Sequence, residues 1–314
     1  MSTLLDEPTL RTTTSPAERL RTSMAAVRLS FEWFGVRKTL TPEQKSQAAD
    51  SFGAEGTFLS AGKKLLDTRH SAYRQVTSTR GKIIALWRAM TLPYPEPGLR
   101  LIRQDRIDEF NTKLVELREE LDQAVAQLDR RYAELKSVAR ERLGSLFNEA
   151  DYPQSLRGLF SVSWEFPSVD APDYLRQLNP QLYQQECERV QQRFNEAVQL
   201  AEEAFVAELA KLVSHLTERL SGQDDNRPKV FRDSVIGNLT EFFDRFRQLN
   251  VRSNEQLDHL VADAQQIIRG IQPQELRDNQ GLRQHVATEM SRVQSVLDGL
   301  LVDKPRRNIL RRPR

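Results

Sequence analysis

QDRIDEFNTKLVELREELDQAVAQLDRRYAELKSVARERLG, residues 104–144, contains no proline and meets no glycine before its last position. Its apolar positions and the next turn beyond them are Phe110, Leu114, Leu117, Leu121, Ala124, Leu128, Tyr132, Leu135, Ala139, Leu143 and Leu146. They advance by about 3.6 residues per step, the period of a straight amphipathic helix and not the 3.5 of a supercoil. At 1.5 Å per residue the helix is roughly 60 Å long. A second stripe of the same period follows Asn179-Pro180: Tyr183, Cys187, Val190, Phe194, Ala197, Ala201, Phe205, Leu209, Leu212, Leu216 and Leu220. The two stripes predict a mainly α fold, an elongated antiparallel bundle of long helices with 104–144 and 180–220 as its spine and a third helix, 57–90, packed on them.

Two short stretches have the other period. In Arg28-Leu-Ser-Phe-Glu-Trp-Phe-Gly-Val36, residues Leu29, Phe31 and Trp33 alternate with Arg28, Ser30 and Glu32. In the second, Phe160, Val162, Trp164 and Phe166 alternate with Ser161, Ser163 and Glu165, and Pro167 closes the run. Period two is the mark of a half-buried strand. Strands near 27–36 and 159–167 are expected to pair as a small β-ribbon backed by helices, because an isolated two-stranded ribbon is marginal in water. Ser15-Pro16 starts a helix ahead of the first strand, and Thr41-Pro42-Glu43 starts another that ends near Phe52-Gly53. Leu92-Pro-Tyr-Pro-Glu-Pro-Gly98 cannot be helical and reads as a rigid connector. Three shorter helices are expected near 229–249, 254–269 and 273–302; the first carries Phe231, Val235, Leu239, Phe242, Phe243 and Phe246. The domain reading is a disordered leader at 1–14, the bundle with its ribbon at 15–250, a C-terminal helical pair at 251–302 and a basic disordered tail at 303–314.

The 314 residues include 46 Lys+Arg against 44 Asp+Glu, four His and one Cys. No apolar run reaches the ~20 residues a membrane span needs, and no basic-then-apolar leader is visible. A cytoplasmic protein is the expectation. Cys187 excludes an intramolecular disulfide and falls on an apolar stripe, where a free thiol packs as a small hydrophobe. His70, His215, His259 and His285 have no ligand spacing among themselves or with Cys187. Gly56-Thr-Phe-Leu-Ser-Ala-Gly62-Lys63-Lys64 departs from a Walker loop, with five residues between the glycines and Lys64 where a hydroxyl is required. Paired acids such as Glu119-Glu120 and Glu202-Glu203 read as solvated helix faces. No catalytic residue, metal or cofactor is expected, so the chain is read as a non-enzyme.

Charge is distributed unevenly. The stretch 57–90 nets +6. The tail 303–314 nets +5, so residues 1–302 taken together are slightly acidic. Lys63, Arg69, Arg74 and Arg80 on the first, with Arg306, Arg307, Arg311 and Arg312 in the tail, are the candidate contacts for a partner or for nucleic acid. The acidic segment Asp108–Asp122 offers the basic helix an intramolecular complement instead.

The run Thr91-Leu-Pro-Tyr-Pro-Glu-Pro-Gly-Leu-Arg-Leu101, then Ala139, Leu143-Gly144 and Phe147, then Asp151-Tyr152-Pro153, Phe160 and Phe166-Pro167, resembles a bacterial and phage helical domain family of unknown function. The resemblance spans roughly 25–250. Members of that family are often encoded beside MoxR-type AAA+ ATPases and von Willebrand A-type proteins. It implies a non-catalytic adaptor or scaffold whose partner is such an ATPase or von Willebrand A-type protein, with homo-oligomerisation open and no membrane. A nucleic-acid-binding protein using 57–90 and the tail is the alternative.

Deleting 303–314 is expected to leave binding to a protein partner nearly intact. A tail that grips phosphates makes affinity for duplex or single strand fall steeply between roughly 50 and 200 mM salt, and its deletion flattens that slope. Fluorescence anisotropy of intact and truncated chains reads both.

Overall fold

A computed structural model describes residues 14–221 and 233–302, with the backbone of 223–224 and 227–228. It is 69% helical, with eleven α-helices among the described residues and a small antiparallel sheet. In chain order the elements are α1 (Pro16–Ser23), β1 (Met24–Trp33), β2 (Arg37–Thr39), α2 (Pro42–Asp50), β3 (Gly62–Lys64), α3 (Ser71–Met90), β4 (Thr91–Pro93) and β5 (Leu99–Arg103). There follow α4 (Ile107–Arg130), α5 (Tyr132–Leu143), β6 (Phe160–Glu165), α6 (Tyr174–Leu178), α7 (Pro180–Ser221), α8 (Ser234–Leu249), α9 (Glu255–Ile268), α10 (Pro273–Asp278) and α11 (Gln280–Val302). Residues 1–13 of the leader, the tail with Arg306, Arg307, Arg311 and Arg312, and Phe231 lie outside the described residues.

The contacts divide the chain into two compact units. One, the sheet-bearing unit, comprises Val27–Met90 and Asp105–Pro167; the other, the helical unit, comprises the described residues of Met1–Ala26, Thr91–Gln104 and Ser168–Arg314. The boundaries thus follow the strands and the proline-rich hairpin, not the 250/251 division expected from sequence.

In the sheet-bearing unit β1 pairs antiparallel with β6, Arg28 opposite Glu165 through Trp33 opposite Phe160. Directly opposed residues share a face, so Leu29, Phe31, Trp33, Phe160, Val162 and Trp164 lie together and α4 packs on β6. Phe160 is fully buried, and its ring meets Trp33, Phe34 and Tyr73 edge-on. The reverse face is polar, with Arg28 on Glu165 at 2.9 Å and Ser161 donating to Glu32 at 3.1 Å. Helix α3 packs along α4, and Lys82 reaches Glu120 at 2.6 Å, so the basic helix does lie beside the acidic one.

The expected 104–144 helix is two. α4 ends at Arg130 and α5 resumes at Tyr132, with Arg131 at φ −96°, ψ 0° between them. No glycine or proline marks the break. Beside it the Asp129 carboxylate accepts from Ser155 Oγ at 2.9 Å and from the Leu156 N–H at 2.7 Å, tying the helix end to a remote loop. The stripe passes through: Phe110, Leu114, Leu121, Ala124, Leu128, Tyr132, Leu135 and Ala139 are all buried. The expected 57–90 helix begins only at Ser71. Residues 56–58 form a 3-10 turn and 62–64 form β3, drawn into a ladder with β2.

In the helical unit α7 is one unbroken helix of 42 residues. It packs on α11, α1 and α8 within its own unit, as α4 packs on α3 and β6 within its own. Phe205 of α7 meets Phe242 and Phe246 of α8. The Arg283 guanidinium donates to the Leu220 and Arg219 carbonyls at 2.8 Å, satisfying groups that a helix C-terminus leaves open. The proline run 92–98 links β4 and β5 as a hairpin, Leu92 opposite Leu101, with Tyr94 packed edge-on to Phe194. The 273–302 helix is also two, because Asn279 Oδ1 accepts from the Leu282 N–H at 3.0 Å and restarts the helix as its N-cap.

Leu121 is fully buried and Leu117 only half-buried on the same stripe. Leu121→Ala is expected to cost about 2–5 kcal/mol and Leu117→Ala clearly less; equilibrium urea denaturation measures both.

Candidate interaction surface

Helix α2 starts with a reciprocal cap: Thr41 Oγ1 accepts from the Gln44 N–H at 3.3 Å, and the Gln44 side chain accepts from the Thr41 N–H at 3.1 Å. It buries Ala49, ends at Asp50, and Gly53 turns the chain at φ +62°. The 3-10 turn 56–58 folds back on α2 so closely that a Cβ on Gly56 would stand 3.0 Å from the Ser46 backbone. One step on, a Cβ on Gly62 would stand 3.1 Å from the Lys38 carbonyl oxygen. Two glycines therefore permit the tight return of 50–62 from α2 into β3.

The β2–β3 ladder sets Lys38 directly opposite Lys63. Like charges in that position repel. Both are drawn to one carboxylate: Asp151 Oδ1 lies 2.5 Å from Lys38 Nζ and Oδ2 lies 2.6 Å from Lys63 Nζ. Lys63 also donates to the Leu146 carbonyl at 2.6 Å. The Asp151 side chain is 2% exposed and that of Lys63 is 6%. Burial is the largest single influence on Asp151 and opposes its ionisation. The hydrogen bonds from Lys38 and Lys63 and their charges together outweigh it and hold the carboxyl below its ordinary value. Around the clasp Phe147 stacks on Tyr152, Arg140 lies over Phe147, and Lys136 and Arg140 both pair with Glu149. Burial pushes the Tyr152 hydroxyl up, and takes that of Tyr132 to about 12.

What this scaffold presents is aromatic. Phe52 is 82% exposed and Phe58 89% exposed, both leaving the same α2 corner. Scattered exposed apolar residues are ordinary on a protein surface. Two phenylalanines in open solvent on a corner held by two close backbone approaches and a buried ion cluster are a candidate contact site. The sequence signal was a phenylalanine on either side of Gly53 and Gly56, beyond the last turn of α2, where helix packing cannot bury it. A smaller exposed set, Tyr174 and Leu178 on α6, lies in the helical unit.

The four basic residues singled out on 57–90 do not form one stripe. Lys63 is in β3, in the clasp. Arg80 on α3 is half-buried, its guanidinium 4.9 Å from the Phe31 ring and 4.8 Å from the Trp33 ring. Arg69, in the turn before α3, and Arg74, on its first turn, are exposed. Arg306, Arg307, Arg311 and Arg312 lie outside the described residues. His70 Nδ1 accepts from the Ala72 N–H at 3.3 Å, and His215 lies 3.4 Å from Arg219. Cys187 is half-buried and not part of the packed core, and Tyr183 is its neighbour. The Gly56–Lys64 segment is a turn leading into a strand, not into a helix. No helix among the described residues is long and apolar enough to cross a membrane. Comparison of the chain with family models, with curated proteins and with solved structures finds no match.

Asp151→Asn leaves Lys63 buried without its counter-charge, so it is expected to cost about 3–5 kcal/mol at neutral pH. Adding Lys63→Met should recover most of that loss. Because the folded-state value of Asp151 is depressed, the clasp stabilises fully above the ordinary aspartate value of about 3.9 and is lost as pH falls through the folded value. Denaturation of the wild type and Asp151→Asn should therefore converge in acid.

Proposed function

We propose that the protein is a non-catalytic adaptor or scaffold that binds another protein through the α2 corner. The observation that carries this reading is the pair Phe52 and Phe58, left in solvent by a corner that is otherwise tightly built. A rigid aromatic anchor has little ordering entropy to lose on docking, and aromatic anchors of this kind dominate protein interfaces. The resemblance in 91–101, 139–153 and 160–167 supports the finer reading of a cytoplasmic partner of the MoxR-type AAA+ ATPase or von Willebrand A-type class.

A nucleic-acid reading draws its support from Arg69 and Arg74, which are exposed together near the start of α3. It is weaker, because Lys63 and Arg80 are committed to Asp151 and to the aromatic rings of their own unit.

The test is affinity capture on the intact chain, with and without nuclease, followed by mass spectrometry. An AAA+ ATPase or von Willebrand A-type protein is expected, retained after nuclease. Replacing Phe52 and Phe58 with Ala should weaken its binding by about 2 kcal/mol or more, roughly thirtyfold. Capture that disappears with nuclease, or that ignores both phenylalanines, overturns the reading.

A further inference from the structure

Helices α3 and α4 pack along each other inside the sheet-bearing unit, and where α3 begins and α4 ends they leave an open pocket of about 630 Å³. That lies in the range of pockets that take a small organic molecule, about 300–1,000 Å³. Its lining is polar. His70 and Gln75 come from the α3 side, and Gln127, Arg130, Arg131 and Glu134 from the end of α4 and the start of α5. The acids nearest along the chain, Asp67, Asp129 and Glu134, are each already paired, with Arg142 at 2.9 Å, Arg157 at 3.3 Å and Arg131 at 3.5 Å. Arg130 in the lining, and Arg74 on the first turn of α3, are exposed and have no acid partner among the described residues. The balance of charge at the pocket is therefore positive.

The neutral groups agree with that sign. His70 Nδ1 accepts from the Ala72 N–H, so the proton of the neutral imidazole is on Nε2, which is a donor. Ser71 and Ala72 bring the amino end of the 20-residue helix α3, which is partly positive, to the pocket wall. The Leu128 carbonyl near the end of α4, which would repel an anion, is already taken by the Arg131 N–H at 3.0 Å. Two guanidinium forks and an imidazole N–H suit the three oxygens and double charge of a phosphate monoester. The Gln75 and Gln127 amides and the Ser71 hydroxyl both donate and accept, which suits a hydroxylated body and not an apolar one. We propose that this pocket binds a sugar phosphate, with the phosphate on Arg130 and Arg131 and the hydroxyls toward Gln75 and Gln127. The site shares no residue with the α2 corner and does not rest on the docking role proposed there.

Isothermal titration of the full chain with ribose 5-phosphate at low salt should give a dissociation constant between about 10 µM and 1 mM, the order expected of a few charge-assisted hydrogen bonds. Ribose itself should give no heat, and inorganic phosphate should compete but bind more weakly than ribose 5-phosphate. Arg130→Glu, and separately Gln127→Trp, which fills the pocket without changing its charge, should each weaken binding roughly tenfold or more. Both positions are exposed, so thermal melting should be unchanged. Arg88→Glu makes the same charge change at an exposed position near the other end of α3, and should leave binding within about twofold. A wild type that gives no heat with ribose 5-phosphate overturns the proposal. So does equal weakening by Arg88→Glu and Arg130→Glu, which is a diffuse field and not a site. Inorganic phosphate bound as tightly as ribose 5-phosphate overturns the sugar-phosphate class. Affinity for single-stranded or duplex nucleic acid that falls with Arg130→Glu, survives Gln127→Trp and is not displaced by ribose 5-phosphate overturns it in favour of an exposed phosphodiester contact. Phe52→Ala with Phe58→Ala should leave the titration unchanged, so failure of this site and failure of the adaptor reading are read separately.

Discussion

One non-local pairing organises the sheet-bearing unit: β1 with β6, segments some 130 residues apart in the chain. Because opposed residues share a face, this register gathers the large apolar side chains Leu29, Phe31, Trp33, Phe160, Val162 and Trp164 on one side, and that side cannot be left in water. α4 covers it, and α3 packs along α4 with Arg80 laid over the Phe31 and Trp33 rings. Once β6 is placed, the turns before it are placed as well, and Asp151 lies on one of them, nine residues ahead of Phe160. The carboxylate that holds the β2–β3 ladder is therefore positioned by the aromatic core and not by its own neighbourhood.

That arrangement changes what the basic residues mean. Counted along the sequence, 57–90 is a cationic segment awaiting an anion. In the fold, Lys63 neutralises a buried aspartate, Lys82 pairs with Glu120, and Arg80 spends its charge on aromatic faces. Each of these partners comes from a segment remote in sequence. A buried lysine opposite another lysine would be repulsive alone; a shared carboxylate makes the pair cohesive and gives the ladder its specificity. The strength of the clasp then becomes conformational definition for the corner next to it. Gly56 and Gly62 permit the backbone to close up, and the clasp holds the strand into which it closes.

The helical unit is organised by burial alone. Along α7 the apolar stripe from Val190 to Leu220 packs on α1, α8 and α11. The first ten residues of the helix contribute none to the core. Asparagine and arginine side chains define helix ends in this unit: Arg283 satisfies the carbonyls where α7 finishes, and Asn279 begins α11. Polar chemistry here punctuates helices whose existence depends on hydrophobic contact, in keeping with the relative sizes of the two effects.

The sequence by itself determined the helical class, the single long helix 180–220, the two alternating strands with their shared face, the cap at Thr41 and the burial of the Phe110–Ala139 stripe. Each follows from a period or a cap confined to a few neighbouring residues, where local sterics and burial agree. Only the tertiary structure decided that 57–64 is a turn and a strand, that the stripe from 104 to 144 is interrupted at Arg131, and that the α4 and α7 stripes find partners within separate units. It also decided that Phe52 and Phe58 remain in water. In each case the deciding contact comes from far away along the chain: Asp151 for Lys63, Ser155 and Leu156 for Asp129, α3 for α4, and for the two phenylalanines the absence of any covering segment among the described residues. Local patterning carries the free energy of a helix or a strand, but the free energy of a buried charge pair or an unburied ring belongs to whichever distant residue the fold brings near.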